Sequence, residues 1–188
     1  MANGTLKVGN IQTSSGSGTI TLGQSGETIA LGSGVTSKMN QPAFEAYLSA
    51  DQSGNADNVA AKLQADTEVY DTDNCYDNST NYRFTPNVAG KYFVYHSSKL
   101  QSDTGNTIAF LHVRLYKNGS EYKKVSFDPA DNQATSINLF CGAVIDFNGT
   151  TDYVEAYGLM NTTGSGNTWR FDAEVKSCTF GAYRIGAE

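Results

Sequence analysis

The sequence predicts an all-β protein, a ten-stranded jelly-roll sandwich that trimerises and carries an N-terminal extended β-stalk or docking arm. Three observations point there. Strand-like runs recur about every ten residues from residue 42 onward, separated by Gly, Asn, Ser and Thr turns, the rhythm of a sandwich or jelly roll. The run Tyr92-Phe93-Val94-Tyr95 has four consecutive large side chains. Neighbours on a strand point to opposite faces, so both faces of this one need cover. The first 37 residues contain no aromatic side chain and repeat a short aliphatic unit three times.

The elements follow in order. Residues 1–37 form the arm, with the units Thr5-Leu6-Lys7-Val8-Gly9, Thr19-Ile20-Thr21-Leu22-Gly23 and Thr28-Ile29-Ala30-Leu31-Gly32. Alternation puts the two aliphatics of each unit on one face, and the glycine ends it. Three such short strands bury too little to stand alone in water. Three chains wound together would place Leu6, Val8, Ile20, Leu22, Ile29 and Leu31 around a common axis. A Gly/Ser-rich flexible tail is the alternative. The fixed spacing of Leu, Ile and Val favours a stalk or docking arm. Residues 35–40 read as the hinge, and 38–188 as the head.

Within the head, strands are expected at 42–50, 59–63, 67–70, 82–85, 91–100, 108–118, 121–127, 134–146, 151–160 and 168–185, the last of them broken. Asn118-Gly119 between two apolar runs is a strong hairpin signal. Residues 51–57 and 161–167 read as long polar loops. No helix is expected.

The segment from Cys75 to His96 also resembles a known family. Its order is Tyr76-Asp77, Thr80, Phe84-Thr85, Gly90 and Tyr92. This looks like the signature of the complement-component-one-q globular head, a relative of the tumour necrosis factor jelly rolls. Residues 42–47 look like the family's opening strand and 113–119 like its central hairpin. Residues 152–154 and 180–183 look like its last two strands. The chain departs from the pattern at Pro86, one place early, at Tyr82, an extra turn residue, and after Val154. The resemblance implies a trimeric jelly roll with exposed recognition loops, and in some members calcium near the trimer top. The arm has a looser likeness to N-terminal segments of phage fibres.

Composition excludes several function classes. The net charge of -6 argues against sequence-blind nucleic-acid binding, which needs a basic surface, and against attraction to anionic membranes. No apolar run approaches membrane-spanning length. The polar start Met1-Ala2-Asn3-Gly4-Thr5 lacks a signal-peptide pattern, so the expectation is a protein made in a cytosol and not exported by the general route. Cys75, Cys141 and Cys178 are odd in number and are expected as free buried thiols.

Candidate site residues are few. For the trimer interface they are Tyr92 or Phe93, with Tyr95 and His96, since closed three-fold symmetry would hide the second apolar face of strand 91–100. The parity of that strand stays open at this point. In the acidic stretch 66–77, Asp71 and Asp73 are the first ligands if a calcium ion is held, against the plainer reading of a solvated acidic turn. Trp169 and Arg170 border a Gly/Ser loop, where an exposed indole would stack on a sugar ring and a buried one would pack in the core. With His96 and His112 the only histidines and no nucleophile motif beside them, no enzyme activity is expected. The preferred reading is a non-enzymatic virion protein of a bacterial virus, assembled in host cytoplasm. Its arm would dock on a capsid or tail protein, and its head would stabilise the particle or bind a host surface glycan or protein. The alternative is a cellular carbohydrate- or receptor-binding module.

Overall fold

The computed structural model describes residues 11, 20, 33, 41–105, 107–129, 134–164 and 166–186. The chain divides into two units, Met1–Met39 and Asn40–Glu188. Of the arm residues named above, Leu6, Val8, Leu22, Ile29 and Leu31 lie outside the described residues. Ile20 is described and exposed.

The head is all-β, with thirteen strands among the described residues: β1 (Ala43–Tyr47), β2 (Gln52–Ala56), β3 (Ala61–Lys62), β4 (Thr67–Asp71), β5 (Tyr76–Asp77), β6 (Arg83–Phe84), β7 (Gly90–Ser102), β8 (Ile108–Lys117), β9 (Ser120–Phe127), β10 (Ser136–Phe147), β11 (Val154–Thr162), β12 (Thr168–Phe171) and β13 (Thr179–Gly186). One sheet runs β2-β12-β7-β13-β1-β4, with β10 also paired to β7. The other runs β5-β6-β11-β8-β9, with β3 also paired to β11. The long strand β7 organises the first sheet. Along one edge it holds β10 from Gly90 to Gln101. Along the other it holds β13 through Lys91–Ser97 and then β12 through Leu100–Ser102.

The count exceeds the expected ten for physical reasons. The stretch 51–57, read as a loop, contains β2. It is a polar strand whose side chains carry no hydrophobic alternation, and it exists because its backbone pairs with β12, Ala56 against Thr168 and Asn55 against Trp169. Tyr76–Asp77 forms a two-residue ladder with β6, too short to leave a pattern. The last segment breaks at a 3-10 turn, Glu174–Lys176, where Val175 takes φ 46°. The hairpin at Asn118-Gly119 has φ 51° and 78° at these two residues, the positive pair that a two-residue turn needs. Tyr82, the extra turn residue, sits at φ 48°.

The core lies between the sheets and is aromatic at one end. Phe44 stacks on Tyr76 at 4.4 Å and on Phe84 at 4.7 Å, and Tyr92 meets Phe147 edge-on at 5.3 Å. Such pairs contribute roughly 0.5–1.5 kcal/mol each beyond their buried area. Leu111, Val113, Leu115, Ala156 and Met160 fill the middle, and Trp169, Phe171 and Leu100 close the other end.

Candidate functional site

The site grows from the parity of β7. Its even-numbered residues, Tyr92, Val94, His96, Ser98, Leu100 and Ser102, are buried in the sandwich. Its odd-numbered residues, from Phe93 and Tyr95 to Lys99 and Gln101, are half-buried on the sheet's outer face. This corrects two members of the predicted interface set. Tyr92 and His96 are fully buried core side chains, because neighbours on a strand cannot share a face. Tyr92 donates its hydroxyl to the Val88 carbonyl at 2.7 Å. His96 Nδ1 lies 3.1 Å from Ser98 Oγ, and its Nε2 has no partner. Burial drives the His96 imidazole down to about 3, so it is neutral.

Phe93 and Tyr95 belong to a larger outer face that the neighbouring strands complete. Val144 of β10, Phe93 and Tyr183 of β13 stand in one cross-strand row. The next row is Gly142, Tyr95, Gly181, Glu45 and Tyr70. Tyr95 therefore has a glycine on each side: its own ring lies down over Gly181, and the rings of Phe140 and Phe93 lie over Gly142. A Cβ at Gly181 would sit 2.5 Å from the Tyr95 ring, and one at Gly142 3.0 Å from the rings of Phe140 and Phe93. Phe93 stacks with Tyr95 at 5.9 Å, Tyr95 with Phe140 at 6.2 Å, and Phe93 meets Tyr183 at 5.7 Å. The result is a flat aromatic carpet whose rim is open, with Phe140 55 % and Tyr183 45 % exposed. Contiguous exposed apolar surface makes this face the candidate interaction site.

One carboxylate sits in the carpet. Tyr95 donates its hydroxyl to Glu45 Oε2 at 2.7 Å. Burial, followed by this bond and the charge of Glu45, pushes the Tyr95 hydroxyl well above its usual range.

A second unpartnered surface lies along one side of the sandwich. Among the described residues β9 pairs with β8 alone and β10 with β7 alone, so both present a free edge. The two strands meet where Tyr122 Oη donates to the Val144 carbonyl at 3.1 Å. Phe127, Val125 and Lys123 stand opposite the inward residues Leu111, Val113 and Leu115. Val125, with Ile137, Leu139 and Ala143 of β10, is only partly buried. The sandwich is thus open along this seam.

The remaining candidates fall elsewhere. Trp169 is fully buried and donates Nε1–H to the Ala56 carbonyl at 2.9 Å, so no indole face is open to a sugar. Arg170 is held by Asp51 and Asp103. Asp71 accepts from the backbone N–H groups of Asp73 and Tyr76, which makes it the cap of its own turn. Asp73 Oδ2 is buried without a partner, and no cluster of three or more His, Cys, Asp or Glu side chains with metal-ligand geometry exists among the described residues. His112 faces the outside of the second sheet on β8, beside Phe110 at 5.1 Å. All three cysteines are buried free thiols, and burial raises Cys178 to about 12. Asn118 and Asn148, each the first residue of an Asn-x-Ser/Thr triplet, spend their amides on turn geometry. Asn118 binds Asp152 and the Tyr153 N–H, and Asn148 accepts from the N–H groups of Thr150, Thr151 and Asp152.

Sequence reasoning missed Glu45, Phe140 and Tyr183. The signal for two of them was the alternation Phe140-x-Gly142-x-Val144 and the pair Gly181, Tyr183, where glycines sit on the same face as aromatics. Which strands lie beside β7 was needed to read it.

No family model and no curated protein matches the chain. Solved structures do match. One is the globular domain of zebrafish complement 1qA protein, 18 % identical, covering 78 % of this chain and 99 % of that one, with a TM-score of 0.49. Murine APRIL is 9 % identical over 77 % of this chain and 99 % of its own, TM-score 0.55. Eiger TNF of S. frugiperda is 10 % identical over 79 % and 93 %, TM-score 0.51. The last two carry the fold assignment: the head has the tumour necrosis factor-like jelly-roll fold.

Proposed function

We propose that this protein is a non-enzymatic recognition head that works as a homotrimer. The observation that carries the proposal is the aromatic carpet of Phe93, Tyr95, Phe140 and Tyr183, built on Gly142 and Gly181 and left open on a single chain. Its complement is the seam between β9 and β10. Two different apolar surfaces on one chain make a head-to-tail contact, which closes into a ring when the rotation allows. The resemblance of the Cys75–His96 segment to the complement-component-one-q head supports three as the ring size. Loops at the ends of the sandwich are then free to meet a receptor.

The finer reading places the head on a bacterial virus particle, docked through residues 1–37 to a capsid or tail protein. It rests on the Thr-aliphatic repeat of the arm. Immunogold labelling of purified particles with an antibody to the head tests it; labelling of host cells without particles would favour the cellular recognition module instead.

Light scattering of the full chain and of a chain starting at Met39 tests the trimer. A trimer in both places the main interface in the head. A trimer of the full chain alone moves trimerisation to the arm. Monomers in both, soluble and folded at micromolar concentration, overturn the proposal.

A further inference from the structure

The charges of the two unpartnered surfaces are as unequal as their shapes. Glu45 is a carboxylate beside Tyr70 and Tyr95. Its hydrogen bond comes from a neutral tyrosine, and no ion pair to it forms among the described residues. In a solvated sheet face that arrangement is stable, because water screens the charge. Covered by another chain, the same carboxylate would lose its water, and a buried charge needs a cation and hydrogen bonds to be tolerated.

The head's other basic side chains are largely engaged. Lys62 pairs with Glu155, Lys91 with Asp146, and Lys99 with Asp172 and Glu174. Arg114 pairs with Glu121, Lys117 with Asp152, and Arg170 with Asp51 and Asp103. Arg83 and Lys176 lie over the rings of Tyr153 and Tyr47, and Arg184 donates to the Ala89 carbonyl. Lys123 and Lys124 form no ion pair among the described residues, and both stand on the free edge strand β9. They point to opposite sides. Lys123 is opposite the inward residue Leu115, and its charge acts on the buried Cys141 thiol of β10 across the seam. Lys124 is opposite Arg114, and its charge acts on His112 on the outside of the second sheet.

We infer that the partner subunit's Lys123 is the cation for Glu45, so that one ion pair per interface sets the register in which the seam of one chain seats on the aromatic carpet of the next. The inference rests on the trimer reading above. It adds to it a named contact and a chemical reason why the assembly is head-to-tail: the acid lies on the carpet and the base on the seam, so a contact of two carpets would bury two like charges. Edge-strand lysines also discourage unwanted strand pairing. That role alone would make the identity of the acid on the carpet irrelevant, which gives the inference its test.

The experiment is a charge-reversal cycle in the full chain, read by sedimentation across a dilution series, with circular dichroism to confirm folding. Glu45→Lys and Lys123→Glu should each raise the concentration at which the trimer dissociates by roughly tenfold or more, the scale of breaking a desolvated interfacial pair. The double variant should recover most of the loss. Glu45→Lys combined with Lys124→Glu should not recover, since Lys124 faces away from the seam. Glu45→Gln supplies a gentler variant should the reversal disturb the fold, and it should weaken the trimer in the same direction. A wild-type monomer would defeat the trimer reading itself. A wild-type trimer that tolerates Glu45→Gln and both reversals unchanged would defeat this inference alone, as would a double variant no better than the worse single one.

Discussion

The outer side of β7 has two halves of opposite character. Toward Gly90 it is the aromatic carpet of Phe93 and Tyr95. Toward Ser102 it is ionic: Lys99 reaches Asp172 at 3.0 Å and Glu174 at 2.6 Å, and Arg170 reaches Asp51 at 3.1 Å and also Asp103. Strand, sheet and parity are the same. What differs is whether the chain satisfies its own surface. In the ionic half each of these cations has two carboxylates from its own chain, so water completes the rest. In the aromatic half the rings stack on one another and on glycines, yet Phe140 and Tyr183 stay about half exposed. A self-satisfied surface and an unfinished one lie a few residues apart on one strand, and the unfinished one is where a partner would be bound.

Charging the carpet should have the largest effect on assembly. Phe93→Asp with Phe140→Asp should abolish the trimer while leaving the head folded, because both side chains point away from the core. Light scattering at micromolar concentration would give the monomer mass, with a near-native circular dichroism spectrum. A trimer that survives both aspartates would mean the carpet is not the interface.

The inward row of β7 sharpens the contrast, since it holds a polar group that no partner satisfies fully. His96 is depressed by burial from 6.5 to about 3, so the unfolded chain binds a proton more readily than the folded one. Stability from keeping it neutral is complete above about pH 6.5 and is lost as pH falls toward 3, on the order of a few kcal/mol over that window. His112 shifts in the same direction, through burial first and then the charges of Arg114 and Lys124. The melting temperature should therefore fall steadily from pH 7 to pH 4, and His96→Leu should flatten that slope. An unchanged slope in the variant would assign the acid sensitivity to other groups.

How much of this was legible in the sequence follows from what each feature depends on. β7, β8 and the Asn118-Gly119 hairpin announce themselves through local chemistry: a run of aromatics, an alternating apolar run, and a turn that needs two positive φ values. β2 does not, because a polar edge strand exists through backbone pairing with a partner distant in sequence, and β5 does not, because a two-residue ladder leaves no pattern. The candidate interface residues split the same way. That β7 wants both faces dry is written in Tyr92-Phe93-Val94-Tyr95, but which parity is the core depends on the sandwich as a whole. Trp169 reads equally as a platform or a core ring until Ala56 is seen to accept its N–H. Glu45 gives no sign of importance until β1, β13 and β7 are laid side by side.

Smaller changes probe the floor of the carpet and then its border. Gly181→Ala places a methyl where the Tyr95 ring lies, so the ring must lift and its bond to Glu45 must lengthen. A cost of about 1–3 kcal/mol is expected, the range for overpacking a close contact, read as a lower melting temperature of the head. The same substitution at the exposed Gly54, where a Cβ would meet nothing within 4 Å but φ is 77°, controls for backbone conformation. The smallest effect belongs to the ionic half. Lys99→Met removes two ion pairs, but Glu174 is largely exposed, and such pairs contribute about 0–1 kcal/mol. Asp172 keeps the Glu174 N–H at 3.0 Å and stays near Gln101, so its loss of one partner is cushioned. The variant should melt within a few degrees of wild type and sediment as the same species. If Lys99→Met dissociates the trimer while Gly181→Ala leaves it intact, the roles of the two halves are reversed, and the ionic end of β7 is the surface that holds the chains together.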